Sequence, residues 1–87
     1  MNQAILTYAI ADRRTKIGRR VRESRERSNW TQQEVADFLH CARQRVSRVE
    51  SGLTDFSPVE LGLLAQEWKV TLNDFFCDWP EVLNPKP

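Results

Sequence analysis

Four side chains in one short stretch could recognise the edges of nucleic-acid bases. Arg43, Gln44, Ser47 and Arg48 are spaced so that a helix over residues 43–51 places them on one outward face. Arginine can donate two hydrogen bonds to O6 and N7 of guanine, and glutamine can pair similarly with N6 and N7 of adenine. The pattern therefore favours a helix whose exposed face suits a nucleic-acid surface.

A second helix precedes this one after a very short turn. Thr31-Gln32-Gln33-Glu34 is a capping box, in which the hydroxyl and the carboxylate each accept a hydrogen bond from a free backbone N–H. The helix that begins there is expected to end near Leu39, which leaves only His40-Cys41-Ala42 before the next helix. Helices joined so tightly cross at about 90–120°, which is helix-turn-helix geometry.

Three further helices are predicted around this pair. Helix 1 is expected over residues 16–28, because Ile17 and Val21 stand one turn apart on a single apolar face. Ser57-Pro58-Val59-Glu60 has the N-cap, the N1 proline and the N3 glutamate of a fourth helix. A short fifth helix is expected to begin at residues 71–74 and to end at Phe76.

The two ends of the chain have weaker patterns. Leu6 and Ile10 could continue the apolar stripe of helix 1, whereas alternate residues of 5–9 could form one face of a short strand. An extra helical turn or an extended arm is favoured over the strand. The predicted division of the chain is 1–14 as arm or helix extension, 15–76 as the helix-turn-helix domain, and 77–87 as a proline-containing tail.

Composition restricts the class of protein. A chain of 87 residues suits one domain, and 40% hydrophobic with 29% charged residues is a soluble globular composition. No apolar run approaches the ~20 residues that cross a bilayer, and no basic segment opens a secretory signal, so a cytoplasmic location without membrane binding is expected. Two cysteines and one histidine lack metal-ligand spacing, so neither a metal nor a cofactor is expected. No nucleophile–base set or glycine-rich phosphate loop indicates an enzyme.

Charge is unevenly distributed along the chain. Residues 11–50 contain eleven Arg and Lys against six Asp and Glu, while residues 51–87 contain two against six. The basic half favours a polyanionic partner. A solvated, charged helix surface without such a partner is the alternative.

Taken together, these segments resemble the lambda-repressor-like regulators, also called the Cro or Xre group. The resemblance extends from Ile17 to Phe76 and depends on the order and spacing of several short stretches. These are Ile17–Arg22, Trp30–Ala36, Val46–Gly52, Ser57–Pro58 with Leu61, Leu64 and Ala65, and Val70–Phe76. It implies an all-α, five-helix domain that binds double-stranded DNA as a homodimer on a palindromic operator and regulates transcription, with repression the expected outcome.

The resemblance also implies roles for individual residues. The base-contacting positions would be Arg43, Gln44, Ser47 and Arg48. The phosphate-contacting positions would be Gln32 and Arg45. Thr31 can join Gln32 through the free N–H groups of the same helix start, and Arg19 and Arg22 on the arginine-rich helix 1 are further phosphate-contacting candidates. A structural ion pair would join Arg25 to Glu50.

Two departures from the family pattern fall in the turn between helices 2 and 3. His40 replaces the usual glycine at a position that often requires positive φ, which histidine tolerates. Ala42 stands where Ser, Thr or Asp normally caps helix 3, at a cost of about 1 kcal/mol.

The predicted dimer interface combines helix 5 and the tail through Phe76, Trp79 and Leu83, with the N-terminal arm as a further candidate. The alternative for the tail is that it folds back over its own core. An alternative function is that of an antitoxin, which would bind a toxin protein as well as its own promoter.

Overall fold

The first helix, α1, spans Gln3–Arg27 and so includes almost all of the N-terminal residues. Its N-cap is Asn2, whose side-chain oxygen accepts a hydrogen bond from the Ile5 N–H at 2.9 Å. This computed structural model describes residues 2–76. It shows the N-terminal residues as an extension of the first helix and not as the alternative short strand. The extension is longer than the one extra turn that was expected, because α1 continues through Leu6 and Ile10 back to Gln3.

Helix α2 spans Gln32–Leu39 and begins with the predicted capping box. The Glu34 N–H donates to Oγ1 of Thr31 at 3.0 Å, and the Thr31 N–H donates to Oε1 of Glu34 at 2.8 Å. These bonds satisfy two of the backbone donors that a helix start leaves free.

A three-residue turn leads from α2 to α3, which spans Arg43–Glu50. His40 ends α2 in the left-handed conformation, with φ 55° and ψ 48°. The histidine therefore occupies the backbone geometry for which glycine is usual. Ala42 precedes α3 in an extended conformation, and its methyl side chain cannot cap the helix.

Helix α4 spans Pro58–Trp68 and also begins with a capping box, formed by Ser57 and Glu60. The predicted short fifth helix is present as a 3-10 helix, Leu72–Phe76. At five residues the segment is typical of the short 3-10 pieces found in proteins. The fold is thus all-α, with four α-helices and one 3-10 helix over the described range.

The apolar core lies between α1 and the other helices. Its buried members are Val21, Val35, Ala36, Val46, Val49, Phe56, Leu61, Leu64, Ala65, Trp68 and Phe75. The Trp30 ring lies edge-on to two neighbours, Phe38 at 5.6 Å and Trp68 at 5.9 Å between ring centroids. The contact with Trp68 joins the chain before α2 to the end of α4.

Over residues 2–76, every helix is too short or too polar to span a bilayer. The same range contains no group of three His, Cys, Asp or Glu side chains that could hold a metal ion.

At Gly18, α1 lies close to the backbone at the end of α3. A Cβ atom at this position would clash with the Val49 carbonyl oxygen and would lie 2.9 Å from the Glu50 carbonyl oxygen. Gly62 on α4 has open space around the corresponding position. The closeness of α1 and α3 therefore requires glycine at position 18. On α4, no neighbouring atom imposes the same requirement at position 62.

We expect Gly18→Ala to destabilise the fold by about 1–3 kcal/mol, because backbone atoms of α3 must move to admit the methyl group. Gly62→Ala should instead stabilise by about 0.4–1 kcal/mol, since alanine restricts the unfolded chain without meeting other atoms. Urea denaturation of the two variants measures both free energies of unfolding. Equal stability of the two variants would contradict the proposed close contact at Gly18.

Candidate nucleic-acid interface

The outward face of α3 carries the four side chains predicted to contact bases. Arg43, Gln44 and Arg48 are exposed, and Ser47 is half-buried among them. On the opposite face, Val46 and Val49 are buried in the core. Burial of these valines fixes the rotation of α3 about its axis, which leaves the polar face directed to solvent.

A polar recess joins this face to the start of α2. It is lined by Gln32, Arg43, Gln44 and Ser47, and its volume is about 230 Å³. Thr31 is exposed at the same helix start, where free backbone N–H groups favour an anion. The structure therefore brings two predicted phosphate-contacting residues beside three predicted base-contacting ones.

Glu50, at the C-terminal end of α3, accepts hydrogen bonds from two other elements. Arg25 donates from Nε to Oε2 at 2.7 Å and from Nη2 to Oε1 at 3.1 Å. Gln32 donates from Nε2 to Oε1 at 3.1 Å. The Arg25 and Glu50 side chains are only 11% and 4% exposed, so this ion pair is largely removed from water.

Arg25 also extends the network to the chain before α2, because its Nη1 donates to the Trp30 carbonyl oxygen at 2.8 Å. The hydrogen bond to Glu50, supported by that group's negative charge, raises the pKa of Arg25 above its ordinary value. The arginine is therefore charged at neutral pH.

The predicted phosphate-contacting arginines of α1 lie outside the polar recess. Arg19 and Arg22 are exposed on the surface of α1. Nε of Arg22 lies 3.4 Å from Oε2 of Glu26 in a pair that is more than half exposed on both sides. Such a pair holds the arginine only weakly.

Arg45 has a partner that the sequence analysis missed. Its Nη1 donates to Oε2 of Glu60 at 2.6 Å, and its Nη2 donates to Oε1 at 2.7 Å. Nη2 also lies 3.3 Å from the Asp55 carbonyl oxygen, and the guanidinium lies 5.1 Å from the centre of the Phe56 ring. Since Arg45 and Glu60 are separated by a loop, helical periodicity could not predict the pair. The expected phosphate contact of Arg45 stays a prediction.

This ion pair changes the acid–base behaviour of Glu60. Hydrogen bonds from Arg45, joined by the bonds from Ser57, outweigh the effect of partial burial and lower the pKa of Glu60 to about 2. The same pairing raises the pKa of Arg45. Both groups are therefore charged near neutral pH.

The loop between α3 and α4 carries the acidic residue Asp55, whose carboxylate lies 2.8 Å from Nε of Arg14 on α1. This pair offsets part of the negative charge that the loop presents.

Of the predicted dimer contacts, Phe76 is half-buried against the core. Trp79 and Leu83 lie outside the described residues.

Comparison with known proteins assigns the class. The family model described as "Helix-turn-helix domain" matches residues 16–67. These residues include α2, α3 and most of α4 together with the C-terminal half of α1. The chain therefore belongs to the helix-turn-helix domain family, and the expected resemblance to the Xre/Cro group is confirmed.

Two relatives illustrate the range of this similarity. The "Competence pilus inhibition repressor" of Acinetobacter baylyi is 40% identical over 60 residues, which are 69% of this chain and 54% of that protein. The chain thus spans about half the length of this curated relative. The crystal structure of the restriction-modification controller protein C.AhdI from Aeromonas hydrophila superposes with a TM-score of 0.64 at 28% identity, over 72% of this chain and 96% of that one.

The buried pair predicts strong coupling between Arg25 and Glu50. Each single alanine substitution should cost about 3 kcal/mol, because it leaves the opposite charge buried and unpaired. A double-mutant cycle by urea denaturation measures the coupling. The matched cycle on the exposed pair of Arg22 and Glu26 should give only about 0.3–0.5 kcal/mol. Additive losses at Arg25 and Glu50 would show that the buried pair is not coupled.

The lowered pKa of Glu60 predicts an acid-sensitive contribution to stability. Because the folded value is about 2 and the ordinary value is 4.5, the contribution is fully present above pH 4.5 and disappears as pH falls toward 2. Glu60→Gln should therefore lose less stability than the wild type between pH 5 and about pH 2. Urea denaturation across this range measures the effect, and Glu67→Gln is the control for loss of one carboxylate from α4. An unchanged pH profile in Glu60→Gln would contradict the assignment.

Proposed function

We propose that this protein is a sequence-specific transcriptional regulator that places α3 in the major groove of double-stranded DNA. The observation that carries the proposal is the exposed row of Arg43, Gln44 and Arg48 on a helix whose rotation is fixed by buried valines. A major groove admits an α-helix, and base pairs present a distinctive set of donors and acceptors there. The repressor name of the A. baylyi relative supports repression as the outcome.

The contacts divide into two classes in this account. Arg43, Gln44, Ser47 and Arg48 contact base edges and determine which sequence is bound. Thr31 and Gln32 contact a phosphate beside the recess at the start of α2, and Arg19 and Arg22 add attraction to the DNA backbone. Phosphate contacts orient the protein without distinguishing bases.

We further propose that the protein binds as a homodimer to a palindromic operator. One helix contacts few base pairs, and two helices related by a two-fold axis would contact half-sites about 34–36 Å apart. The predicted interface through Phe76, Trp79 and Leu83 stays part of this proposal. Within the described residues, Phe76 already packs against its own core, which reduces the surface it can offer to a partner.

The N-terminal part of α1 offers a larger apolar surface for the second copy. The uncharged run of residues 4–11 exposes four large side chains, namely Ile5, Leu6, Tyr8 and Ile10. A groove of about 290 Å³ lies at the base of this extension, between Leu6, Ile10 and Ile17. Apolar surface of this kind marks an interaction site. The antitoxin alternative gains no support from the comparisons.

If Arg43 and Arg48 contact bases, replacing either one should reduce discrimination between the preferred DNA sequence and other sequences. Arg43→Ala and Arg48→Ala should each weaken binding to a duplex enriched from random DNA by about 1–3 kcal/mol, with much smaller effects on a scrambled duplex. Arg22→Ala should weaken both duplexes equally and lower the salt slope by about one. Titrations at several salt concentrations measure these effects. Equal weakening of both duplexes by the two α3 variants would exclude them as base contacts.

If the N-terminal part of α1 forms the dimer interface, a charge introduced there should disrupt the dimer more than a charge introduced elsewhere on the surface. Ile10→Asp should shift the protein toward monomer, because the carboxylate would be buried against the second copy. Leu63→Asp on α4 is the matched control, since both wild-type side chains are 44% exposed. Sedimentation velocity with and without operator DNA measures the change. A wild type that is monomeric in both conditions would refute the homodimer, and equal effects of the two variants would refute this surface.

A further inference from the structure

The N-terminal end of α3 lacks a side-chain cap, yet it carries two of the proposed base contacts. The methyl side chain of Ala42 cannot accept a hydrogen bond from the free N–H groups of the first turn, and Arg43 and Gln44 follow it immediately. At the other end of the helix, Glu50 is fixed by Arg25 and Gln32. The first turn of α3 is therefore fixed as firmly as its last turn only if another polar contact joins it to a neighbouring element.

Arg45 provides such an anchor. It lies in the first turn of α3 and forms two parallel hydrogen bonds, at 2.6 and 2.7 Å, with Glu60 in the first turn of α4. Parallel bonds between a guanidinium and a carboxylate fix orientation as well as distance. The stacking of Arg45 on Phe56 restricts the arginine further.

Glu60 is itself held in place by the start of α4. Its Oε1 accepts a hydrogen bond from the Ser57 N–H at 2.8 Å, and its own N–H donates to Oγ of Ser57 at 3.1 Å. The carboxylate that receives Arg45 is therefore the same one that closes the capping box. Movement of the first turn of α3 would disturb the start of α4 as well.

We propose that Arg45 and Glu60 form a positioning pair, which holds the first turn of α3 so that Arg43 and Gln44 meet the bases, and that Arg45 does not contact phosphate. This inference depends on the proposed function. The guanidinium already donates to a carboxylate and to the Asp55 carbonyl oxygen. A phosphate would have to approach beside the negative charge of Glu60, which would repel it.

The two roles of Arg45 predict opposite effects of Glu60→Gln. Glutamine keeps the N3 capping function but removes the charge that holds Arg45. If Arg45 is a positioning residue, Glu60→Gln should weaken binding to the enriched duplex by about 5- to 30-fold and reduce discrimination at the bases that Arg43 and Gln44 contact. If Arg45 contacts phosphate, release from Glu60 should strengthen binding to every duplex.

The salt dependence of binding separates the roles a second time. Arg45→Met keeps the aliphatic stem and removes the charge. If Arg45 is a positioning residue, Arg45→Met should weaken binding to the enriched duplex as much as Glu60→Gln does. The slope of log affinity against log salt concentration should stay unchanged, because the neutral ion pair of the wild type displaces no counterion from DNA. A phosphate contact predicts equal loss on the enriched and scrambled duplexes and a slope smaller by about one. Glu67→Gln removes one negative charge from α4, as Glu60→Gln does, but at a position away from Arg45. It should behave as the wild type in both the duplex comparison and the salt titration.

The experiment uses the full chain at a temperature at which circular dichroism shows every variant to be folded. Tighter binding by Glu60→Gln, or a reduced salt slope in Arg45→Met, would overturn the positioning role while leaving sequence-specific binding intact. A wild type without preference for the enriched duplex would instead refute the proposed function.

Discussion

The buried carboxylate of Glu50 is the interaction on which the arrangement of this domain depends. It ends α3, and it receives Arg25 from α1 and Gln32 from the start of α2. A carboxylate with 4% exposure is tolerated only if its charge is compensated, so these donors must stay in place. The close approach of α1 at Gly18 brings the helices near enough for this to happen. One charge thus fixes the relative positions of three helices.

The two ends of α3 are held by different means, and the proposed recognition surface lies between them. Apolar burial of Val46 and Val49 sets the rotation of the helix, Glu50 fixes its last turn, and Arg45 with Glu60 joins its first turn to α4. Side chains on the exposed face can then meet DNA without first ordering the backbone that carries them. Such preorganisation reduces the entropic cost of binding.

Local signals in the sequence predicted much of the fold but not its long-range pairs. The capping boxes at Thr31 and Ser57 are fixed by residues three positions apart, so both helix starts could be predicted. The pair of Arg45 and Glu60 depends on how a loop returns α4 to α3, which no local spacing encodes. The N-terminal extension of α1 was ambiguous because a short apolar run suits a strand as well as a helix. The final segment became a 3-10 helix, since its five residues provide little room for α-helical hydrogen bonds.

The most direct test of this account is a base-resolved selection from random double-stranded DNA, performed in parallel with the wild type and with Gln44→Ala. The wild type should enrich an inverted repeat. Gln44→Ala should enrich the same repeat with information lost at one base position in each half-site, because one side chain on the exposed face of α3 contacts that base. Identical enriched sequences from both proteins, or a uniform loss of information across the whole site, would contradict base recognition by this face.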